Sequence, residues 1–193
     1  RLNHPHQLVI FSINYFNNYI YMNVLNRFLI FFLFLSGCAM QSKSLKLVDN
    51  VDINKFMGDW YVIAHIPAFI EKNAYNAVES YALNDDGSIA TTFTFNKGDP
   101  YGPVKQYYPK GFVIEGTNNA EWGMQFIWPI KAQYKIVYLD DAYQNTIVAR
   151  DALDYVWLMS RQKTLSPEEI AMFTEKIKAM GYNIDNLRMV PQQ

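Results

Sequence analysis

Downstream of residue 60 the chain breaks into short apolar runs separated by turn-forming clusters, and the runs carry the two-residue period of strands. The clearest is the run 89–95, where Thr92 and Thr94 alternate with Phe93 and Phe95, giving a strand with two unlike faces. Asn84-Asp85-Asp86-Gly87 is a tight-turn signal, so residues 77–83 and 88–96 are expected to form a hairpin. Further strands are predicted at 60–67, 105–113, 122–128, 133–139, 146–150 and 155–160, parted by turn-rich stretches at 97–103 and 116–119. Eight strands with mainly short connections favour an antiparallel meander, hence a barrel or a sandwich.

One helix closes the series. Ser166 is a good N-cap, Pro167 suits the first helical position, and Glu169 completes a capping box. Ile170, Phe173, Ile177 and Met180 recur three or four apart and form one apolar stripe, which Gly181 ends. Residues 186–190 are expected to add a short last strand.

The N-terminal part reads differently. Arg27 precedes the apolar run 28–35, and Leu35-Ser36-Gly37-Cys38 follows. That order is a secretory signal, too short to span a hydrocarbon core, which needs roughly 20 apolar residues in helix. Leu-Ser-Gly-Cys resembles the bacterial lipoprotein box, which implies acylation of Cys38 and an anchor in the cell outer membrane of a Gram-negative bacterium. Ala39 after the cysteine is compatible with that destination. The expected organisation is an upstream over-extension of the frame at 1–21, a signal peptide at 22–37, a polar tether at 38–50 and one domain at 51–193.

Composition mainly excludes. Setting aside Arg1 and Arg27 of the leader takes the 17 basic residues to 15 against 18 acidic ones, a balance with no nucleic-acid footprint. Cys38 is the single cysteine, so the domain has no internal disulfide, cysteine nucleophile or thiolate metal site. His65 is the only histidine past the leader, and parity opposite to Trp60 puts it on the exterior or an edge. No metal, cofactor or catalytic constellation is predicted. Asp85-Asp86 and Asp140-Asp141 read as turn carboxylates.

Three motifs in order resemble the lipocalins. Gly58-Asp59-Trp60 matches the Gly-x-Trp signature at the first strand. Leu139-Asp140-Asp141-Ala142-Tyr143 matches the turn between the sixth and seventh strands, with Ala142 in place of the expected acid. Arg161 stands where the family has an arginine after the eighth strand, and the helix follows in its usual place. With the lipoprotein box, the resemblance is to bacterial outer-membrane members of the family. It implies an all-β, eight-stranded antiparallel up-and-down barrel with one C-terminal α-helix, floored by Trp60 with Arg161 across its indole.

The same resemblance implies a binding protein for fatty acids or lysophospholipids, tethered to the membrane through Cys38. Alternatives are an enzyme on a lipocalin-like barrel acting on a lipid, or a structural lipoprotein with a filled barrel. A homodimer is left open, because related barrels can pair across their mouths. Alternation from Arg161 assigns Tyr155, Trp157 and Met159 to the interior, and Val156 and Leu158 to the face that receives the helix. By the same rule the interior receives Phe93 and Phe95; Met124, Phe126 and Trp128; Tyr134, Ile136 and Tyr138; and Ile147 and Ala149. Lys97, Lys105, Lys110 and Lys131 lie in or beside predicted loops, and none is assigned to a ligand head group.

Overall fold

In a computed structural model, which describes residues 44–67 and 71–193, the predicted runs form one closed antiparallel sheet. Its strands are β1 (Gly58–Ile66), β2 (Ala74–Leu83), β3 (Ile89–Lys97), β4 (Val104–Tyr107), β5 (Lys110–Val113), β6 (Glu121–Ile127), β7 (Ile130–Leu139), β8 (Asn145–Ala149), β9 (Val156–Ser160) and β10 (Arg188–Met189). Strands β1 to β3 pair in turn, β3 pairs with both β4 and β5, β5 to β9 pair in turn, and β9 pairs back onto β1 to close the barrel, with β10 added beside β1. Closure removes the unpaired edges that an open sheet would expose. Residues 105–113, expected as one strand, are divided into β4 and β5 because Pro109 supplies no backbone N–H. Counted as one, with the short β10 set aside, they make the eight-stranded barrel that the resemblance implies. Cys38 and the leader lie outside the described residues.

Two apolar layers lie on opposite sides of the strands. Inside, Trp60, Val62, Tyr81, Trp122, Tyr134, Ile136 and Met159 belong to the barrel core. Outside, Ile147, Val156 and Leu158 receive α2 (Pro167–Ala179) through Phe173 and Ile177. The helix begins as its sequence dictates: the Ser166 side chain accepts from Glu169 N, and the Glu169 carboxylate accepts from Ser166 N at 2.8 Å. Gly181 ends it at φ +103°, a conformation open to glycine.

Four side chains assigned to the interior lie elsewhere. Ile147 and Ala149 face the helix, while Val148 enters the barrel. The run 147–149 is apolar on both faces, so alternation alone could not orient it; pairing of Val148 with the inward Trp157 does. Tyr138 also lies outside, edge-on to Phe173 at 5.4 Å, because the register of β7 shifts between Ile136 and Tyr138. Trp128 is 82% exposed at the tip of the β6–β7 hairpin.

The stretch 44–50, expected to be tether, runs along the barrel. Val48 N donates to Ile136 O at 3.1 Å, and Leu45 N donates to the Asp151 carboxylate at 2.7 Å. That carboxylate also pairs with buried Lys135 Nζ at 3.0 Å, which in turn donates to Ser44 Oγ at 2.7 Å. Leu47 and Val48 give the segment an apolar reason to dock.

Candidate ligand-binding cavity

The barrel is shut at one end. A short helix α1 (Ile53–Phe56), capped by Asp52 and too short to have a visible periodicity, brings Phe56 under the strands. Trp60 Nε1 donates to Phe56 O at 2.8 Å. The Arg161 guanidinium lies 3.8 Å from the centre of the Trp60 ring. Its Nη1 donates to Asp59 O at 2.7 Å, and Nη2 donates to Lys55 O and Met57 O at 2.9 and 2.8 Å. Gly58, at φ +91°, lets the chain turn from α1 into β1, where a Cβ would lie 3.4 Å from that guanidinium.

Tyr143 joins the same floor, its hydroxyl accepting from Asp52 N at 2.8 Å. The turn needs no acid at Ala142. Asp140 already accepts from Gln144 N and Asn145 N, each at 2.8 Å. Above this plug Trp122 stacks on Tyr134 with ring centres 5.0 Å apart, and the Tyr81 and Tyr134 hydroxyls share a hydrogen bond. Burial pushes both phenols up from their ordinary value, so they remain neutral.

At the other end the barrel encloses a cavity of about 710 Å³. Of the side chains named from sequence, Met124, Phe126, Tyr134, Tyr155 and Trp157 line it. Phe93 stacks on Trp157 with centres 5.4 Å apart, and Phe95 on Tyr107 at 6.1 Å, so both support the wall from within the core. Ile136 is buried in the core away from the cavity. The Tyr155 hydroxyl donates to Gln133 O at 2.7 Å, and burial holds its pKa up. Apolar rim residues Phe126, Ile127 and Ile130 are exposed beside Trp128.

Sequence alternation missed the polar part of the wall. Glu71 and Glu79 both face the cavity, although they are buried. Glu71 Oε2 accepts from Trp157 Nε1 at 2.8 Å and meets His65 Nδ1 at 3.2 Å. Arg188 Nη1 lies 3.3 Å from His65 Nε2, and because arginine can only donate, Nε2 accepts and Nδ1 donates to Glu71. His65 is therefore fully buried, not exterior. The register of β1 shifts between Val62 and Ala64, and that bulge reverses parity beyond it. Glu79 has no hydrogen-bond partner at either carboxylate oxygen among the described residues. Desolvation, then the charge of Glu71, raises its pKa well above the ordinary carboxylate value.

Two of the loop lysines have local partners: Lys110 pairs with Asp86 at 2.9 Å, and Lys131 lies 3.7 Å from the centre of the Phe112 ring. Among the described residues no His, Cys, Asp and Glu cluster is arranged to hold a metal, and no helix is long and apolar enough to cross a membrane.

Comparison with known proteins places this geometry. The chain is 26% identical over 162 residues to the outer membrane lipoprotein Blc of Vibrio cholerae, covering 82% of this chain and 93% of that one. It is 27% identical to the temperature-induced lipocalin-1 of Arabidopsis thaliana, over 79% and 85% of the two chains. Insecticyanin from the tobacco hornworm Manduca sexta shares the fold, with a TM-score of 0.62 at 15% identity over 78% of this chain and 86% of that one. Residues 51–192 match the model of the lipocalin-like domain, and the chain belongs to that family.

Proposed function

We propose that this protein is a membrane-anchored carrier that binds, stores or moves an amphiphile, of the fatty-acid or lysophospholipid kind, at the outer membrane of a Gram-negative bacterium. The observation that carries the reading is the cavity of about 710 Å³ above a sealed floor, lined by Met124, Phe126, Tyr134, Tyr155 and Trp157. Its size falls in the range of small-molecule sites, and its wall is mostly apolar with a few polar groups. Acylation of Cys38 would keep such a carrier next to its source of lipid, and the relative from Vibrio cholerae is itself named an outer membrane lipoprotein.

The cavity weighs against a filled structural barrel. Against an enzyme stands the tight engagement of His65 between Glu71 and Arg188, away from the cavity surface. Native mass spectrometry of the full chain, released gently from membranes, tests the reading. A co-purifying lipid of defined mass supports it. A protein that leaves the membrane empty, and takes up neither oleate nor lysophosphatidylethanolamine when offered, refutes it.

A further inference from the structure

Glu79 is out of keeping with an apolar calyx. It sits on β2 opposite Trp60 on one side and Phe93 on the other, both inward-facing, so its carboxyl lies inside the barrel. It is 1% exposed, lines the cavity, and leaves both oxygens without a partner among the described residues. A buried polar group without a hydrogen bond is costly, and such a group in a cavity wall is explained most simply by a ligand that supplies the bond. Nearby Tyr81 and Tyr134 satisfy one another, which leaves Glu79 as the unmatched group.

Charge narrows the ligand. The ionisable acids on the cavity wall are Glu71, Glu79 and Asp154, and the basic group on it is Arg150. Arg150 is already taken by Asp154, Nε to Oδ1 at 3.0 Å. Glu71 is turned toward His65 and Trp157. An anionic head drawn down to Glu79 would lie beside the Glu71 carboxylate, with no unpaired cation among the described residues of the wall.

We propose that Glu79 is the specificity-determining anchor of the cavity and recognises a basic nitrogen at the inner end of an amphiphile, its acyl or alkyl chain running out past Tyr155 and Phe126 to the apolar rim. The proposal rests on the reading of the barrel as an amphiphile carrier. Burial favours the protonated form of the Glu79 carboxyl, so binding of an alkylammonium ion as an ammonium–carboxylate pair sends the proton that Glu79 holds to solvent. A simple long-chain amine and a lysophospholipid with an ethanolamine head both carry such a nitrogen; a free fatty acid does not.

Isothermal titration calorimetry of the full chain, in two buffers of different ionisation enthalpy, separates these cases. The ligands are dodecylamine, dodecanol, dodecanoate and lauroyl-lysophosphatidylethanolamine. Dodecylamine is expected to bind at least about tenfold more tightly than dodecanoate, with net release of protons. Glu79→Gln is expected to bring its affinity down to that of dodecanol and to abolish the release. Glu79→Leu, which adds no polar group to the core, gives the same readout should the amide variant fold poorly. Tight binding of the lysophospholipid, also lost in both variants, would name its head group as the source of the nitrogen; binding of the amine alone would name simple amines. An amine preference that persists in both variants, or no preference in the wild type while dodecanol binds, overturns the assignment to Glu79 and leaves the carrier intact. Failure of all four ligands to bind overturns the carrier and the anchor together.

Discussion

The two ends of the barrel treat their polar groups in opposite ways. At the floor, the Arg161 guanidinium is spent on backbone carbonyls and the Trp60 face, and the Trp60 indole N–H reaches Phe56 O. In the cavity above it, a buried carboxyl has no partner among the described residues, and at the rim large apolar side chains such as Ile127 and Trp128 stand in solvent. The floor is organised for stability, whereas the cavity tolerates an unmet bond and its rim stands exposed. Natural proteins hold such costs where binding requires them.

The largest expected effect lies at the floor. Trp60→Ala removes a fully buried indole and the surface on which Arg161 rests, and should lower the unfolding free energy in urea by about 3–5 kcal/mol. Arg161→Ala leaves the carbonyls of Asp59, Lys55 and Met57 without this donor, and should cost about 2–3 kcal/mol in the same assay. Unchanged midpoints would mean that the floor is not where stability resides.

Glu79→Leu should act in the opposite sense. Replacing an unpartnered buried carboxyl by an apolar group of similar size is expected to raise the thermal midpoint, by the equivalent of about 1–2 kcal/mol. A destabilised variant would contradict the reading of Glu79 as an unmatched group. The effect of pH is smaller and carries the same sign. Folded Glu79 keeps its proton above the ordinary value of 4.5 at which the unfolded chain loses it. Its contribution is thus full below that pH and is lost as pH rises through the elevated folded value, with a slope of at most about 1.4 kcal/mol per pH unit. Urea unfolding of the wild type and of Glu79→Leu, repeated from mildly acid to neutral pH, should show stability declining faster in the wild type. Parallel profiles would contradict the assignment.

Much of the floor was legible in sequence because its parts are local and chemically singular. Gly58 supplies a positive φ, Trp60 is the large residue two positions on, and the Ser166–Glu169 capping box announces the helix by itself. The cavity wall was less legible, since its lining depends on parity and parity depends on register. Two bulges, near Ile63 in β1 and Val137 in β7, reversed the alternation and misplaced His65 and Tyr138. In β8 the apolar run 147–149 gave alternation nothing to orient by, and Ile147 and Ala149 were assigned to the wrong side. Glu79 was overlooked for a different reason: a glutamate in a strand is ordinarily read as solvent-facing, and here its neighbours Ala77 and Tyr81 are the buried face.

The most direct measurement asks which tryptophan a bound chain approaches. Trp157 lines the cavity, Trp60 lies in the floor, and Trp128 stands on the rim. Variants in which Phe leaves one tryptophan at a time would be titrated with an amphiphile brominated along its alkyl chain, and fluorescence followed to saturation. An open cavity above a sealed floor predicts saturable quenching of Trp157 at one ligand per barrel, with Trp60 scarcely affected. Quenching confined to Trp128, or none at all, would mean that the chain adsorbs at the rim or stays out, and the account of this protein as a carrier would fail.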